Sequence, residues 1–290
     1  MLEDLHKISS GSNVSVLFIV ATPIGNLEDI TVRAINTLRS VNLIACEDTR
    51  TSRVLLNRHN ISTPLISLHR FNENRKTRVI LERLESGQSV ALVSDAGTPN
   101  ISDPGYRLVR SVVESGFRVV PIPGPSSVVA ALSVSGVDGS SFVFLGFSPK
   151  KASALNNFFG QISQSDKTVI FLETARRIVK AMDVARKSIP LRRIALCREL
   201  TKKFEEILYG NSQSLYDELV QKENIKGEFV VVIEPAKQKL TGNVDNVISE
   251  LIQEGLSGKS LAAEAQKKFG ISRTLAYNKF LSMTTKDDSD

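Results

Sequence analysis

Short apolar runs alternate with amphipathic stretches from residue 14 onward, and this alternation is the strongest constraint on the fold. Near-continuous apolar strands separated by helices are typical of a mostly parallel sheet covered on both faces. The predicted strands are 14–20, 41–46, 64–67, 89–93 and 117–122, and the predicted helices are 28–39, 50–59, 74–86, 103–115 and 126–135. The pattern therefore predicts an α/β domain.

A second α/β unit is predicted after the glycines at 136–139. Its predicted strands are 141–146, 167–172, 193–198, 204–209 and 228–234, and its predicted helices are 151–163, 174–188 and 212–223. We divide this part of the chain into a domain over 14–123 and a second domain over 124–236. A chain of 290 residues is long enough for two such domains and a small third unit.

Residues 237–290 are predicted to form a linker and a small all-α module. Leu261, Ala262 and Ala265 are spaced for one helix face, Gly270 marks a turn, and Ser272 can cap a second helix ending near Phe280. This is the outline of a helix-turn-helix. The segment holds eight Lys/Arg against seven Asp/Glu, which favours packing or a modest RNA contact over sequence-specific DNA binding.

Composition narrows the class of protein. The sequence has no apolar run near the ~20 residues of a transmembrane helix. Residues 1–13 are polar, without the apolar segment of a secretory signal, and are expected to form a flexible extension. Cys46 and Cys197 are the two cysteines, and no Cys/His spacing indicates a metal site. A cytoplasmic protein that does not bind membranes is expected.

Three turn-rich loops follow predicted strands, at 20–31, 93–105 and 121–127. Each places Gly close to Pro, and the second also carries two Asp. Open α/β sheets bind ligands in the crevice outside the carboxyl ends of their strands. Each loop alone is explained by surface turns, but three together predict a shared ligand crevice.

A fourth loop, Ala-Cys-Glu-Asp-Thr-Arg at 45–50, ends the second strand. Acidic residues favour a helix N-terminus, and Asp48 or Thr49 can cap the helix that follows. At the edge of the sheet, Glu47 or Asp48 can also accept a proton from a hydroxyl, and Arg50 can bind a phosphate. Both interpretations stay open on the sequence.

The formal charge is +6, and its distribution is uneven. Basic residues are dense over 49–78 and recur at Lys150–Lys151, Arg176–Arg177, Arg192–Arg193 and Lys202–Lys203. If several of these face one cleft, they form an electrostatic surface for nucleic acid.

Taken together, the motifs resemble a known family. ATPIGNLEDITVRA (21–34), ACEDTR (45–50), VSDAGTPNISDPG (93–105), PIPGPSS (121–127), LGFSPK (145–150) and FLET (171–174) occur in this order. The set resembles the bacterial 16S ribosomal RNA 2′-O-ribose cytidine methyltransferases of the tetrapyrrole-methylase-like class. The resemblance covers about residues 14–236, with a helical C-terminal module as in many members.

The resemblance implies two α/β domains with S-adenosylmethionine bound in the cleft between them, and usually a homodimer. It assigns one set of residues to the cofactor: Ile24, Gly25, Asp95, Ala96, Gly97, Thr98, Asp103, Ser126, Ser127, Leu172 and Leu200. The sequence departs from the family at Ala175-Arg176, where many members have Pro-His, and at Phe71, in a segment that is often His-Asn-Glu. Both departures concern the substrate side.

The implied reaction is 2′-O-methylation of a cytidine ribose in 16S rRNA, in the decoding region, with naked RNA or the 30S subunit as substrate and without a metal. Glu47, Asp48 and Arg50 are the candidate catalytic residues. The candidate RNA contacts are Arg53, Lys150, Lys151 and Arg176. Methylation of a tetrapyrrole on the same fold, or a non-catalytic RNA-binding assembly factor, are the alternatives.

Overall fold

The computed structural model describes residues 15–236, 244–269 and 271–284. Three expectations lie outside these ranges: the flexible extension over 1–13, the linker over 237–243, and the turn at Gly270. The described residues confirm the predicted fold class, with two α/β sheets followed by a helical C-terminal region.

The first sheet is parallel throughout. Its strands are β1 Val16–Val20, β2 Leu43–Cys46, β3 Leu65–Ser67, β4 Val90–Val93 and β5 Arg118–Ile122. They are ordered β3-β2-β4-β1-β5, so the carboxyl ends of β2, β4, β1 and β5 lie side by side. The four loops singled out above follow these four strands.

Helices cover both faces of the first sheet, which explains why its strands are apolar on both sides. The helices are α1 Val32–Ser40, α2 Thr49–Arg58, α3 Glu73–Glu85 and α4 Tyr106–Glu114. Side chains of α1 and α2 pack on one face, and side chains of α3 and α4 pack on the other. The first helix begins later than predicted, because Thr31 caps it by accepting a hydrogen bond from the Ala34 amide at 3.1 Å.

The second sheet is mixed. Its strands are β6 Phe142–Phe147, β7 Thr168–Thr174, β8 Arg193–Arg198, β9 Glu206–Asn211 and β10 Glu228–Ile233, ordered β6-β7-β10-β8-β9. Strand β10 runs antiparallel to both of its neighbours, so its first residue lies beside the ends of β7 and β8. This arrangement brings Glu228 to the same edge as Thr174 and Arg198.

Helices also cover the second sheet. They are α5 Ser127–Val134, α6 Ala152–Gln164, α7 Ala175–Ser188 and α8 Ser212–Gln221. Helices α6, α7 and α8 pack on one face, whereas α5 packs on the other together with Ile24 of the first domain. The boundary between the two domains at residues 123 and 124 remains a prediction.

The C-terminal region contains α9 Val244–Gln253, α10 Gly258–Phe269 and α11 Arg273–Thr284 around a core of their own. The sequence analysis predicted α10 and α11 but missed α9, although Val244, Val247, Ile248 and Leu251 have helical spacing. Ser272 accepts a hydrogen bond from the Leu275 amide at 3.2 Å, as a cap does. Lys279 pairs with Asp245 at 2.8 Å, so this cation holds α11 to α9. In the described ranges we find no helix with the length and apolarity needed to cross a bilayer.

Candidate active site between the two domains

The loops at the carboxyl edge of the first sheet are tied to one another. The amides of Thr22 and Gly97 donate to each other's carbonyl oxygens at 2.9 and 3.0 Å. The Thr98 hydroxyl lies 3.4 Å from the Pro125 carbonyl oxygen. Gly97 has φ +76°, a conformation that L side chains rarely adopt, so glycine suits this close crossing. The predicted crevice is therefore built from the loops after β1, β4 and β5.

The loop after β2 joins this cluster through Asp48. Its amide donates to Asp95 Oδ1 at 3.0 Å, and its own side chain caps α2 by accepting from the Arg50 amide at 2.8 Å. The Arg50 guanidinium lies 2.6 Å from Asp48 Oδ2 and is itself 89% exposed. Asp48 thus caps helix α2 and also lies beside the predicted crevice.

The hydrogen bonds from Arg50 lower the pKa of Asp48 to about 2. A carboxylate with so low a pKa is a weak proton acceptor. Asp48 is therefore suited to hold Arg50 and α2, and poorly suited to deprotonate a hydroxyl.

Three neighbouring carboxyl groups behave in the opposite way. Burial, assisted by the charge of Glu47, raises the pKa of Asp103 to about 6. Burial is also the main cause that raises the pKa of Glu47 and of Asp95, and the charge of Asp95 raises that of Glu47 further. Since like charges in one site disfavour simultaneous ionisation, the neighbouring carboxylates add to the effect of burial on the pKa of Asp103 and of Glu47.

A cavity of about 280 Å³ lies between the two domains, beside these carboxyl groups. Both domains contribute to its wall, which combines apolar side chains with five carboxyl groups and one ammonium group. The cofactor candidates that line it are Ile24, Asp95, Ala96, Asp103, Ser127, Leu172 and Leu200. The structure thus brings these residues together from five separate segments of the chain.

The other four cofactor candidates lie next to the wall rather than in it. A Cβ at Gly97 would contact Ile24 at 3.4 Å, and Thr98 and Ser126 lie in the adjoining loops. Gly25 faces the second domain: a Cβ there would lie 2.4 Å from the Lys202 side chain and 3.0 Å from the Leu200 carbonyl oxygen. A glycine is needed at this position because the two domains approach each other there.

Several residues of the second domain that line the cavity were not predicted as site residues. They are Phe147, Glu173, Cys197, Glu199, Lys202, Glu228, Phe229 and Val230. Glu173 and Glu199 have cationic partners, Arg177 at 3.4 Å and Lys202 at 2.9 Å. The sequence predicts the end of β8 and the start of β10, where most of these residues lie. It does not show that the two meet, because that depends on the antiparallel pairing of β10. Among the residues described, no group of three His, Cys, Asp or Glu is arranged to hold a metal ion.

A buried carboxylate holds the end of the loop over 93–105. Glu73, which is 8% exposed, accepts hydrogen bonds from the amides of Gly105 at 3.1 Å and Arg107 at 3.0 Å. These amides begin α4, where a helix favours a negative charge. Glu73 therefore fixes the end of the loop that carries Asp103.

The candidate RNA contacts lie in two places. Lys150 and Lys151 precede α6, and Arg176 is exposed at the start of α7. Arg177 ties these two segments together by donating to the carbonyl oxygens of Ser148 at 3.0 Å and Pro149 at 2.6 Å. Arg53 lies instead on the exposed side of α2, in the first domain.

The architecture is thus two α/β domains that together line an acidic cavity. The sequence profile of the Tetrapyrrole (Corrin/Porphyrin) Methylases matches residues 16–216, and the chain belongs to this family of methylases. A solved structure of diphthine synthase shares the fold, with a TM-score of 0.61 and 16% identity, over 77% of this chain and 90% of that one.

Much closer relatives are found among curated proteins. The chain is 41% identical to the ribosomal RNA small subunit methyltransferase I of Mesorhizobium japonicum, over 92% of each protein. It is also 41% identical to the protein of the same name from Haemophilus influenzae, over 90% of this chain and 95% of that protein. The resemblance stated from the motifs is thereby confirmed.

Proposed function

We propose that this protein transfers a methyl group from S-adenosylmethionine to the 2′-hydroxyl of a cytidine ribose in 16S rRNA, in the decoding region. The names of its relatives support ribosomal RNA of the small subunit as the substrate. The acidic interdomain cavity, with the raised-pKa carboxyl of Asp103 in its wall, is the structural observation that carries the proposal.

The lining of the cavity fits this cofactor. S-adenosylmethionine supplies a methyl group on a positively charged sulfur and also carries an ammonium group. Asp95 and Asp103 place negative charge in the wall, whereas Ile24, Phe147 and Leu172 offer apolar surface for an adenine ring. Sites of this kind combine an apolar surface with a few positioned polar groups.

Because the methyl group is already activated, this chain's residues have two tasks, to position the ribose and to accept its hydroxyl proton. We assign proton acceptance to Asp103 and Glu47, whose raised pKa values bring them closer to neutral pH. Asp48 holds Arg50, and the exposed Arg50 guanidinium is available to a phosphate of the RNA. Lys150, Lys151, Arg176 and Arg53 are proposed to contact the RNA backbone.

The test is transfer of labelled methyl groups from S-adenosylmethionine to 30S subunits, to free 16S rRNA and to a tetrapyrrole. The expected result is label in RNA, at the 2′-oxygen of a cytidine after nuclease digestion. Label in the tetrapyrrole, or cofactor binding without any transfer, supports one of the two alternatives instead. In parallel, Glu47→Gln with full transfer and normal cofactor affinity would remove Glu47 from the mechanism.

We also propose that the protein acts in the cytoplasm as a homodimer. Both cysteines are free and buried, which fits a reducing compartment. Strand β6 is an edge strand of its sheet, and its Phe142 and Leu145 side chains are 42% and 40% exposed. Light scattering across a concentration series gives the mass in solution, and a monomer at all concentrations would contradict the proposal.

A further inference from the structure

A second, open hollow of about 550 Å³ lies where the first domain meets the loop after β8. We call it the basic groove, and its lining residues are Gly25, Asn26, Leu27, Glu28, Arg58, Thr201, Lys202 and Lys203. Three cations and one carboxylate face it, so its charge balance is opposite to that of the interdomain cavity. It contains none of the RNA contacts assigned from the sequence.

Two of the cations in the basic groove are free to bind an anion. Lys202 pairs with Glu199 at 2.9 Å, and its charge is largely neutralised there. Within the described ranges, neither Arg58 nor Lys203 has an ion-pair partner. Unpaired cations in an open groove are suited to the phosphates of a nucleic acid strand.

An exposed aromatic ring stands beside these cations. The Phe204 side chain is 69% exposed, and the Lys203 ammonium lies 5.7 Å from the centre of its ring. Proteins that bind single-stranded nucleic acid combine a cationic groove with aromatic rings on which bases stack. Phe204, with the cations Arg58 and Lys203 of the basic groove, provides both a ring for stacking and cations for phosphates.

The basic groove adjoins the candidate active site on two sides. Lys202 lines both the groove and the interdomain cavity. On the other side, a hollow of about 280 Å³ with Pro23 and Val54 in its wall shares Leu27 with the groove and Asp95 with the cavity. The hollows thus follow one another along α2, from Asp95 at the cavity to Arg58 in the groove.

We propose that the basic groove binds the single-stranded RNA segment next to the target nucleotide, with Arg58 and Lys203 at phosphates and Phe204 stacked on a base. This inference rests on the proposed function, because it takes RNA to be the substrate. It adds a binding surface that is separate from Lys150, Lys151 and Arg176 at the ends of β6 and β7.

The test uses the full chain and three kinds of variant: Arg58→Ala/Lys203→Ala, Phe204→Ala, and Phe204→Trp as the conservative replacement. The matched charge control is Arg118→Ala/Lys167→Ala, two exposed cations at the amino-terminal ends of β5 and β7, on the opposite edges of the sheets. Leu191→Ala controls for loss of an exposed apolar side chain, since Leu191 is 85% exposed.

Binding of a short single-stranded RNA from 16S rRNA is followed by fluorescence anisotropy over a salt series, and methyl transfer gives KM for the same RNA. Removing Arg58 and Lys203 is expected to lower the slope of log affinity against log salt by about 1.4, the value for two phosphate contacts on a single strand. Phe204→Ala is expected to weaken binding about fivefold or more, with Phe204→Trp restoring it. Affinity for S-adenosylmethionine, measured by calorimetry, should not change.

The possible outcomes separate this inference from the proposed function. If the wild-type protein methylates RNA but the groove variants match the control variants in slope and KM, the groove proposal is wrong and the function stands. If the wild-type protein binds the cofactor and methylates no RNA, the proposed function is wrong, and the groove proposal that rests on it is overturned as well. Equal weakening by the groove and control variants would show a diffuse charge effect and also overturn the proposal.

Discussion

The interdomain cavity and the basic groove share Lys202 in their walls, yet they carry opposite charge. The cavity has five carboxyl groups around one ammonium group, whereas the groove has three cations and one carboxylate. A cationic cofactor and a polyanionic RNA strand need opposite environments within one active site. The difference between the two regions fits the two proposals made above, a cationic cofactor in the cavity and an RNA strand in the groove.

The largest expected effect comes from replacing Glu73, the buried carboxylate that holds the start of α4 next to the cavity. Glu73→Ala leaves two amides at the start of α4 without an acceptor, and should lower the free energy of unfolding by about 3 kcal/mol. Glu73→Gln retains one acceptor oxygen and should recover part of this loss. Chemical denaturation measures both, and the cofactor affinity of Glu73→Ala should fall while its RNA affinity persists. An unchanged cofactor affinity would contradict the link from Glu73 to the cavity.

Asp103→Asn should lower kcat about 100-fold, with KM for RNA unchanged, because it removes a proton acceptor and keeps the side-chain shape. In the wild-type protein kcat should fall as the pH drops through about 6, where the Asp103 carboxylate becomes protonated. The variant should lose this step in the pH profile. Glu114→Gln, an exposed carboxyl group on α4, is the control.

The same pKa shift predicts a change in stability with a defined sign. A carboxyl whose pKa is raised from 3.8 to about 6 on folding favours the folded state most when it is protonated, and this contribution is lost as the pH rises through about 6. Asp103→Asn should therefore be more stable than the wild-type protein above that pH, by about 1 kcal/mol after allowing for partial exposure. A variant less stable than the wild type across the whole pH range would contradict the burial of this charge.

A smaller effect is expected at Asp95. Asp95→Asn keeps the acceptor for the Asp48 amide but removes a negative charge from the cavity wall. Affinity for S-adenosylmethionine should fall about tenfold, and affinity for S-adenosylhomocysteine, which lacks the sulfonium charge, should fall less. Calorimetry with both ligands makes the comparison, and equal losses would mean that the charge of the cavity does not select the cofactor.

Asp48→Asn should have the smallest effect. The asparagine oxygen can still cap α2, and the lost ion pair with the exposed Arg50 is weak in solvent, so transfer should fall less than about threefold. A loss larger than that of Asp103→Asn would assign proton acceptance to Asp48. Steady-state methyl transfer under matched conditions decides between the two carboxylates.

The order of strands and helices along the chain, the loops proposed to bind a ligand and the family could all be predicted from the sequence. Apolar strands with turn-rich ends place the loops at 20–31, 45–50, 93–105 and 121–127 at one sheet edge, because parallel strands share that edge. The missed helix α9 and the late start of α1 are local errors at element boundaries and do not change this outcome.

Two features could be found only from the folded structure: which carboxyl groups have a raised pKa, and which residues of the second domain join them in the cavity wall. Asp48 and Asp103 both lie in loops that follow strands, but one is held by Arg50 and the other is partly buried near the charge of Glu47. Glu228 reaches the cavity because β10 runs antiparallel to β7 and β8. The physical reason is that burial and Coulomb interactions depend on distances between residues far apart in the chain, which local patterns do not encode.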